Sequence, residues 1–162
     1  MNRILISFVL TGLLGLYCGA ANAASFTAGS GTQAGTVTDN ATNLMWQQCS
    51  AGLSGAGCAT GAAVIYVWDG ALVAITYCEG LSLGDFTDWR LPNSKELRSI
   101  VDSTKATAPV IDTTYFPATV SSGYWSSTTY APGTTGAWSV NFSDGYVGSK
   151  PKADGYYVRC VR

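Results

Sequence analysis

Apolar positions recur at helical spacing over two middle stretches of the chain and at every second position over three late ones, so the pattern predicts helices first and clustered strands after them. The earliest signal is a hairpin. Thr36-Val37-Thr38 and Leu44-Met45-Trp46-Gln47 flank a polar, turn-prone centre, Asp39-Asn40-Ala41-Thr42-Asn43. From Cys49 to about Ala62 the chain is rich in Gly, Ala and Ser and has no periodicity, which predicts a loop.

Asp69 precedes an apolar run through Ala71, Leu72, Ile75, Cys78 and Leu81, a stripe that suits a largely buried helix with Asp69 as its N-cap. Gly80 and Gly84 help to stop it. A second helix start is clearer: in Pro92-Asn93-Ser94-Lys95-Glu96, Asn93 is placed as N-cap with Glu96 three residues on, the spacing of a capping box. Leu97, Ile100 and Val101 give this short helix its apolar face. Lys105 to Pro117, punctuated by prolines, is expected to be irregular connection.

Three alternating runs follow, at Tyr124–Ser127, Ala137–Phe142 and Tyr156–Arg162, and they predict three antiparallel strands. Pro132-Gly133 and Asp144-Gly145 mark turns after the first and second. Helices followed by clustered strands define an α+β domain rather than alternating βαβ units. There is no solenoid-type repeat.

The first residues change the picture of where the protein works. Met1-Asn2-Arg3, an apolar run from Ile4 to about Tyr17, and small residues ending Ala21-Asn22-Ala23 have the order of a signal peptide, with cleavage expected after Ala23. The apolar run is shorter than the roughly 20 residues a spanning helix needs, so no membrane anchor is expected in the mature form. Bulky Tyr17 before Cys18 argues against a lipid-modified cysteine. The expected organisation is a signal peptide at 1–23, a short segment at 24–35 and one domain at 36–162.

With 9 Lys and Arg against 10 Asp and Glu, the chain has no field that would steer it to nucleic acid. Few charges and many Gly, Ser, Thr, Tyr and Trp fit an exported, strand-rich domain. Processing would leave Cys49, Cys58, Cys78 and Cys160, an even number that predicts two disulfides in an oxidising compartment. Four cysteines allow three connectivities, and the spacing does not choose among them.

The chain resembles the Lcl C-terminal domain family, named for the end of a bacterial collagen-like adhesin. The residues that carry the likeness are Thr36–Asn40 with Leu44–Gln47, Tyr77-Cys78, Asp88-Trp89-Arg90-Leu91-Pro92-Asn93 with Glu96-Leu97, and Ile100-Val101-Asp102. The series continues with Phe116-Pro117, Tyr124–Thr128, Ala137–Val140 and the terminal Val158-Arg159-Cys160-Val161-Arg162. More loosely, Trp-Arg-Leu-Pro together with an Arg-Cys-Val ending is similar to the C-type-lectin-like architecture, including formylglycine-generating-type domains. That resemblance implies two helices flanking a twisted antiparallel sheet and two disulfides. It also implies their pairing, Cys78 with Cys160 and Cys49 with Cys58.

The chain contains no His, which removes Ser-His-Asp and Cys-His catalysis and the commonest zinc ligand. The cysteines lack the CxxC pairs of zinc ribbons, and the enzyme reading would need a free thiol pair that two disulfides do not leave. Asp85 and Asp88 sit in a Gly-containing loop where they are expected to cap and solvate a turn rather than ligate calcium. No catalysis, cofactor or metal is expected.

Binding is the expected activity. Between Ser121 and Tyr157, aromatic residues are interleaved with small polar ones, a composition suited to recognition surfaces. Trp125 and Trp138, inside strand patterns, are expected to fill the core. Tyr130 and Tyr146, in turn-rich loops, are surface candidates for a ligand, with Lys150 and Lys152 beside them. Lys150, Lys152, Arg159 and Arg162 would form a positive group able to meet sulfated or acidic glycans, the ligand class the adhesin resemblance implies. Arg159 could equally serve as a structural ion-pair partner. The expected function is a secreted or surface recognition module for an extracellular glycan or protein. A display scaffold without a small ligand and a degenerate enzyme-like domain are the alternatives. No oligomeric state follows, since the chain has no collagen-like or coiled-coil segment.

Overall fold

The structure, a computed structural model, describes residues 26–70 and 73–162. The expected signal peptide, its cleavage after Ala23 and Cys18 lie outside the described residues.

Alternation in the first half builds a small antiparallel sheet of β1 (Phe26–Ala28), β2 (Thr36–Asp39) and β3 (Met45–Gln47). β2 and β3 form the predicted hairpin, with Val37 opposite Trp46. Asp39 closes its turn, its carboxylate accepting from the Ala41 N–H and the Thr42 hydroxyl. β1, ahead of the expected domain start, pairs with β2, and Phe26 packs edge-on to Phe116. The glycine-rich loop carries the two-residue strands β4 (Leu53–Ser54) and β5 (Thr60–Gly61), joined by a 3-10 turn at Ala56–Cys58 and held by the Cys49–Cys58 disulfide.

The first helix is later and shorter than its apolar stripe suggests: α1 spans Ala74–Glu79 and is preceded by Val73, so Asp69 is not its N-cap. The cause is a backbone contact. Val67 and Val73 meet as a parallel bridge, and the Ala74 N–H donates to the Val67 carbonyl. Asp69 and Gly70, the latter at φ +130°, lie in a bend that follows Val67, so Asp69 stands outside the helix. The second helix, α2 (Ser94–Ser99), starts as predicted. Asn93 accepts from the Lys95 and Glu96 N–H groups, and Glu96 accepts from the Asn93 N–H, a complete capping box.

The late strands form a second antiparallel sheet of β6 (Gly123–Thr129), β7 (Gly136–Asn141) and β8 (Val147–Pro151), in that order. Here the pattern misleads. The third strand is not Tyr156–Arg162 but the polar Val147–Pro151, which the tight turn at Asp144-Gly145 returns directly onto β7. As an edge strand carrying Lys150, Pro151 and then Lys152, it lacks the apolar alternation that would announce it.

The terminal segment instead stitches the two sheets together. Met45 and Arg162 exchange backbone hydrogen bonds, as do Arg90 and Val161. Further along, Gln47 donates to the Cys160 carbonyl and Trp125 to that of Tyr157.

Alternate residues of an extended chain face opposite ways, and this divides the interior in two. Tyr124, Val140 and Val161 join Leu97 of α2 and Ile100, just after it, in one cluster with Phe26, Trp46 and Phe116. Trp125, Ala137, Val158 and Cys160 join Ala74 and Cys78 of α1 in the other. α2 therefore packs on the β6–β8 sheet, while α1 belongs to the second cluster, which draws on that sheet's opposite face through Trp125 and Ala137. The protein is an α+β domain of antiparallel sheets with little helix, pinned by Cys49–Cys58 and Cys78–Cys160. That pairing is the one the family resemblance implies.

Candidate functional site

The residues singled out from the sequence do not meet at one place. Lys150 faces the same way as its β7 partner Ala137, whereas Trp138, one residue on, faces the opposite side with Ser149. Tyr130 packs edge-on to Trp138, 5.3 Å between ring centres, and so belongs to that opposite side. Tyr146, 65% exposed, lies across Gly148 on the Lys150 side. Lys152 follows the strand, with its ammonium 4.0 Å from the Trp68 ring centre. Trp138 is thus half-buried on the sheet surface rather than in the core, while Trp125 is fully buried. The difference comes from register: Trp125 points at α1, and Trp138 sits beyond the stretch of β7 that packs into the α2 cluster.

The positive group of the C-terminal region is also dispersed. Arg162 forms a two-pronged ion pair with Asp88, at 2.6 and 3.1 Å, and its guanidinium stacks 3.6 Å above the Phe86 ring. The Arg162 guanidinium accordingly holds the Asp88 carboxyl below the usual range. Asp85, at φ +63°, occupies the turn of the Leu83–Phe86 bridge. Arg159 is completely buried and forms no ion pair among the described residues, so it is neither the exposed ligand contact nor the ion-pair partner that its sequence position left open.

A cleft that sequence reasoning missed is the better-formed site. It has a volume of about 530 Å³, within the range of small-ligand pockets. Four pieces of chain wall it. The β1–β2 connection brings Gly35, whose carbonyl accepts from the Gln48 N–H, and the exit of β3 brings Gln47 and Gln48. The loop clamped by Cys49–Cys58 supplies Leu53 and Ser54, and the end of α1 with its following turn supplies Tyr77 and Leu81. None of the lining residues is charged.

Its floor is ordered by one amide. Gln47, 4% exposed, donates from Nε2 to the Tyr77 hydroxyl at 2.9 Å, while its Oε1 accepts from the Cys160 N–H at 3.2 Å. Burial pushes the Tyr77 phenol above its ordinary pKa, against the opposing pull of hydrogen bonds from Gln47 and the Gly52 backbone. The phenol therefore stays protonated at neutral pH and accepts from Gln47 and the Gly52 backbone. The Gln48 side chain has no hydrogen-bond partner among the described residues. Such a cleft offers apolar contact from Leu53 and Leu81 and neutral hydrogen-bonding groups from Gln48 and Ser54, with no group suited to general acid–base work near pH 7. No periodicity marks it in the sequence, because its walls are loop backbone and residues brought together from three separate stretches. The one available signal was the glycine-rich loop with its own cysteine pair.

A disulfide-pinned α+β domain with a neutral cleft is the class of protein these features define. The model of the Lcl C-terminal domain family matches residues 35–162, and the chain belongs to that family. The family is adhesin-associated, of the surface or secreted type, and is not a known enzyme family. No curated protein matches the chain. Two disulfides in an adhesin-related domain fit an exported protein. Among the described residues no helix is long and apolar enough to cross a membrane.

Proposed function

We propose that this domain is a non-catalytic recognition module that takes a neutral segment of an extracellular glycan into the cleft between the clamped loop and the end of α1. The observation that carries this reading is the cleft's lining, apolar and amide-rich, without a single charged residue. Sugars present C–H faces for apolar contact and hydroxyls for neutral hydrogen bonds, which Leu53, Leu81, Gln48 and Ser54 complement. Export through a signal peptide cleaved near Ala23 and an architecture of the C-type-lectin-like kind accompany this proposal. An adhesin-related family and two disulfides support export, and antiparallel sheets with two short helices support the architecture.

Charge gives the proposal its direction. A sulfated chain would have to be met by Lys150 and Lys152 on the edge strand, where Lys and Pro also serve to blunt pairing with another strand. Lys152 is already drawn to the Trp68 ring. A glycan array spanning neutral and sulfated sugars tests the reading. Binding to neutral glycans that is lost in Leu81→Trp, which fills the cleft, supports it. Binding only to sulfated glycans, lost in Lys150→Ala and kept in Leu81→Trp, overturns it, and binding to no glycan moves weight to the scaffold alternative.

A further inference from the structure

Arg159 lies in the extended terminal segment at a position that alternation directs into the apolar interior. Its neighbours Val158 and Cys160 face the α1 cluster, so Arg159 faces the other way, toward Phe116 and Tyr124. It is 0% exposed. Only Nη2 is engaged, donating to the Thr119 hydroxyl at 2.9 Å and, at 3.4 Å, to the Ser50 hydroxyl. Nε and Nη1, which hold most of the five guanidinium N–H groups, have no partner.

No carboxylate compensates this charge. The ion pairs among the described residues are Arg90–Glu96 and Arg162–Asp88, and neither involves Arg159. The ring faces of Phe116 at 4.8 Å and Tyr124 at 5.7 Å attract a cation but supply no acceptor for the free N–H groups. Burial lowers the pKa of Arg159 to about 10, which leaves it protonated at neutral pH. An unpaired buried charge is costly, and native proteins pair such charges or bind ions to them.

We propose that Arg159, with the hydroxyls of Ser50 and Tyr124 beside it, forms an internal site for one small monovalent anion of the chloride type; Thr119 serves only as an acceptor, because its own hydroxyl hydrogen goes to the Phe116 carbonyl at 2.7 Å. The polar groups suit it. Ser50 Oγ and Tyr124 Oη lie 2.6 Å apart and share one proton between them, so a remaining hydroxyl hydrogen can turn to an anion as the guanidinium does. A bound water would meet some of the free donors yet leave the charge uncompensated. The anion meets both needs, and its role is structural: it secures the terminal segment that stitches the two sheets.

The test compares thermal unfolding of the full-length protein across a series of sodium chloride or bromide concentrations, with sodium gluconate holding ionic strength constant. A parallel crystal grown in sodium bromide is measured at the bromine absorption edge. The expected results are a melting temperature that climbs by a few degrees with halide and an anomalous peak within hydrogen-bond reach of Arg159 Nε or Nη1. In Arg159→Met, which carries no charge, the halide dependence should vanish. If that variant does not fold, the wild-type series and the bromide map decide alone. Equal melting temperatures in halide and gluconate, or density at Arg159 with no bromine signal, overturn the proposal.

Discussion

Gln47 and Tyr77 are joined by a 2.9 Å hydrogen bond between a strand and a helix 30 residues apart, and the same Gln47 amide holds the backbone of Cys160. One side chain thus ties β3, α1 and the terminal segment together at the cleft floor, directly beside the Cys78–Cys160 disulfide. Gln47→Leu keeps similar bulk but strands the buried Cys160 N–H and leaves the Tyr77 phenol with the Gly52 backbone bond alone. It should cost about 1–3 kcal/mol and abolish cleft binding, measured by urea unfolding and by ligand titration. Full stability after this substitution would show that water or another group satisfies the floor.

The two disulfides should contribute unequally. Cys78–Cys160 closes a separation of 82 residues and Cys49–Cys58 one of 9. Chain-entropy reasoning assigns about 4 to 5 kcal/mol to the first and about 2 to 3 to the second. Cys78→Ser should therefore lower stability more than Cys49→Ser. The smaller staple has the larger effect on the cleft, because the loop it clamps carries Leu53 and Ser54. Unfolding midpoints and binding measured on both variants should move in opposite order.

Glu96 makes the acid limb of stability specific. Hydrogen bonds from Arg90, at 2.7 and 2.8 Å, and from the Asn93 N–H hold its carboxyl below the ordinary range. A carboxylate whose folded pKa is depressed adds stability that is fully present above its unfolded value, near about 4.3. That stability drains away as the pH falls through the folded value. Glu96→Gln should lose stability at neutral pH and show a flatter decline below about pH 4.3 than the wild type. Parallel pH profiles of wild type and variant would contradict the assignment.

Much of the fold is written in local pattern. The β2–β3 hairpin, the capping box at Asn93 and Glu96, and β6 and β7 follow from alternation and capping chemistry within a few residues. Misreadings arise where a distant contact outweighs the local signal. The Val67–Val73 bridge removes the first turn from the helix that Asp69 would have capped, and a tight turn draws polar Val147–Pro151 into the sheet ahead of the more apolar terminus. Arg159 looks like a surface cation because its sequence neighbours do not reveal that three separate stretches enclose it. The cleft was illegible for the same reason: Gly35, Gln48, Leu53 and Leu81 share no period, and only the folded chain gathers them.

The central claim is that recognition takes place in the neutral cleft, and its most direct measurement is backbone amide NMR of the labelled protein titrated with a neutral glycan taken from the array, at low and at high salt. The account predicts shifts concentrated at 29–35, 47–56 and 77–83, with affinity nearly independent of salt, since no charged residue lines the cleft. Shifts confined to Tyr146 and Lys150 on the edge strand, with affinity falling steeply as salt rises, would contradict it.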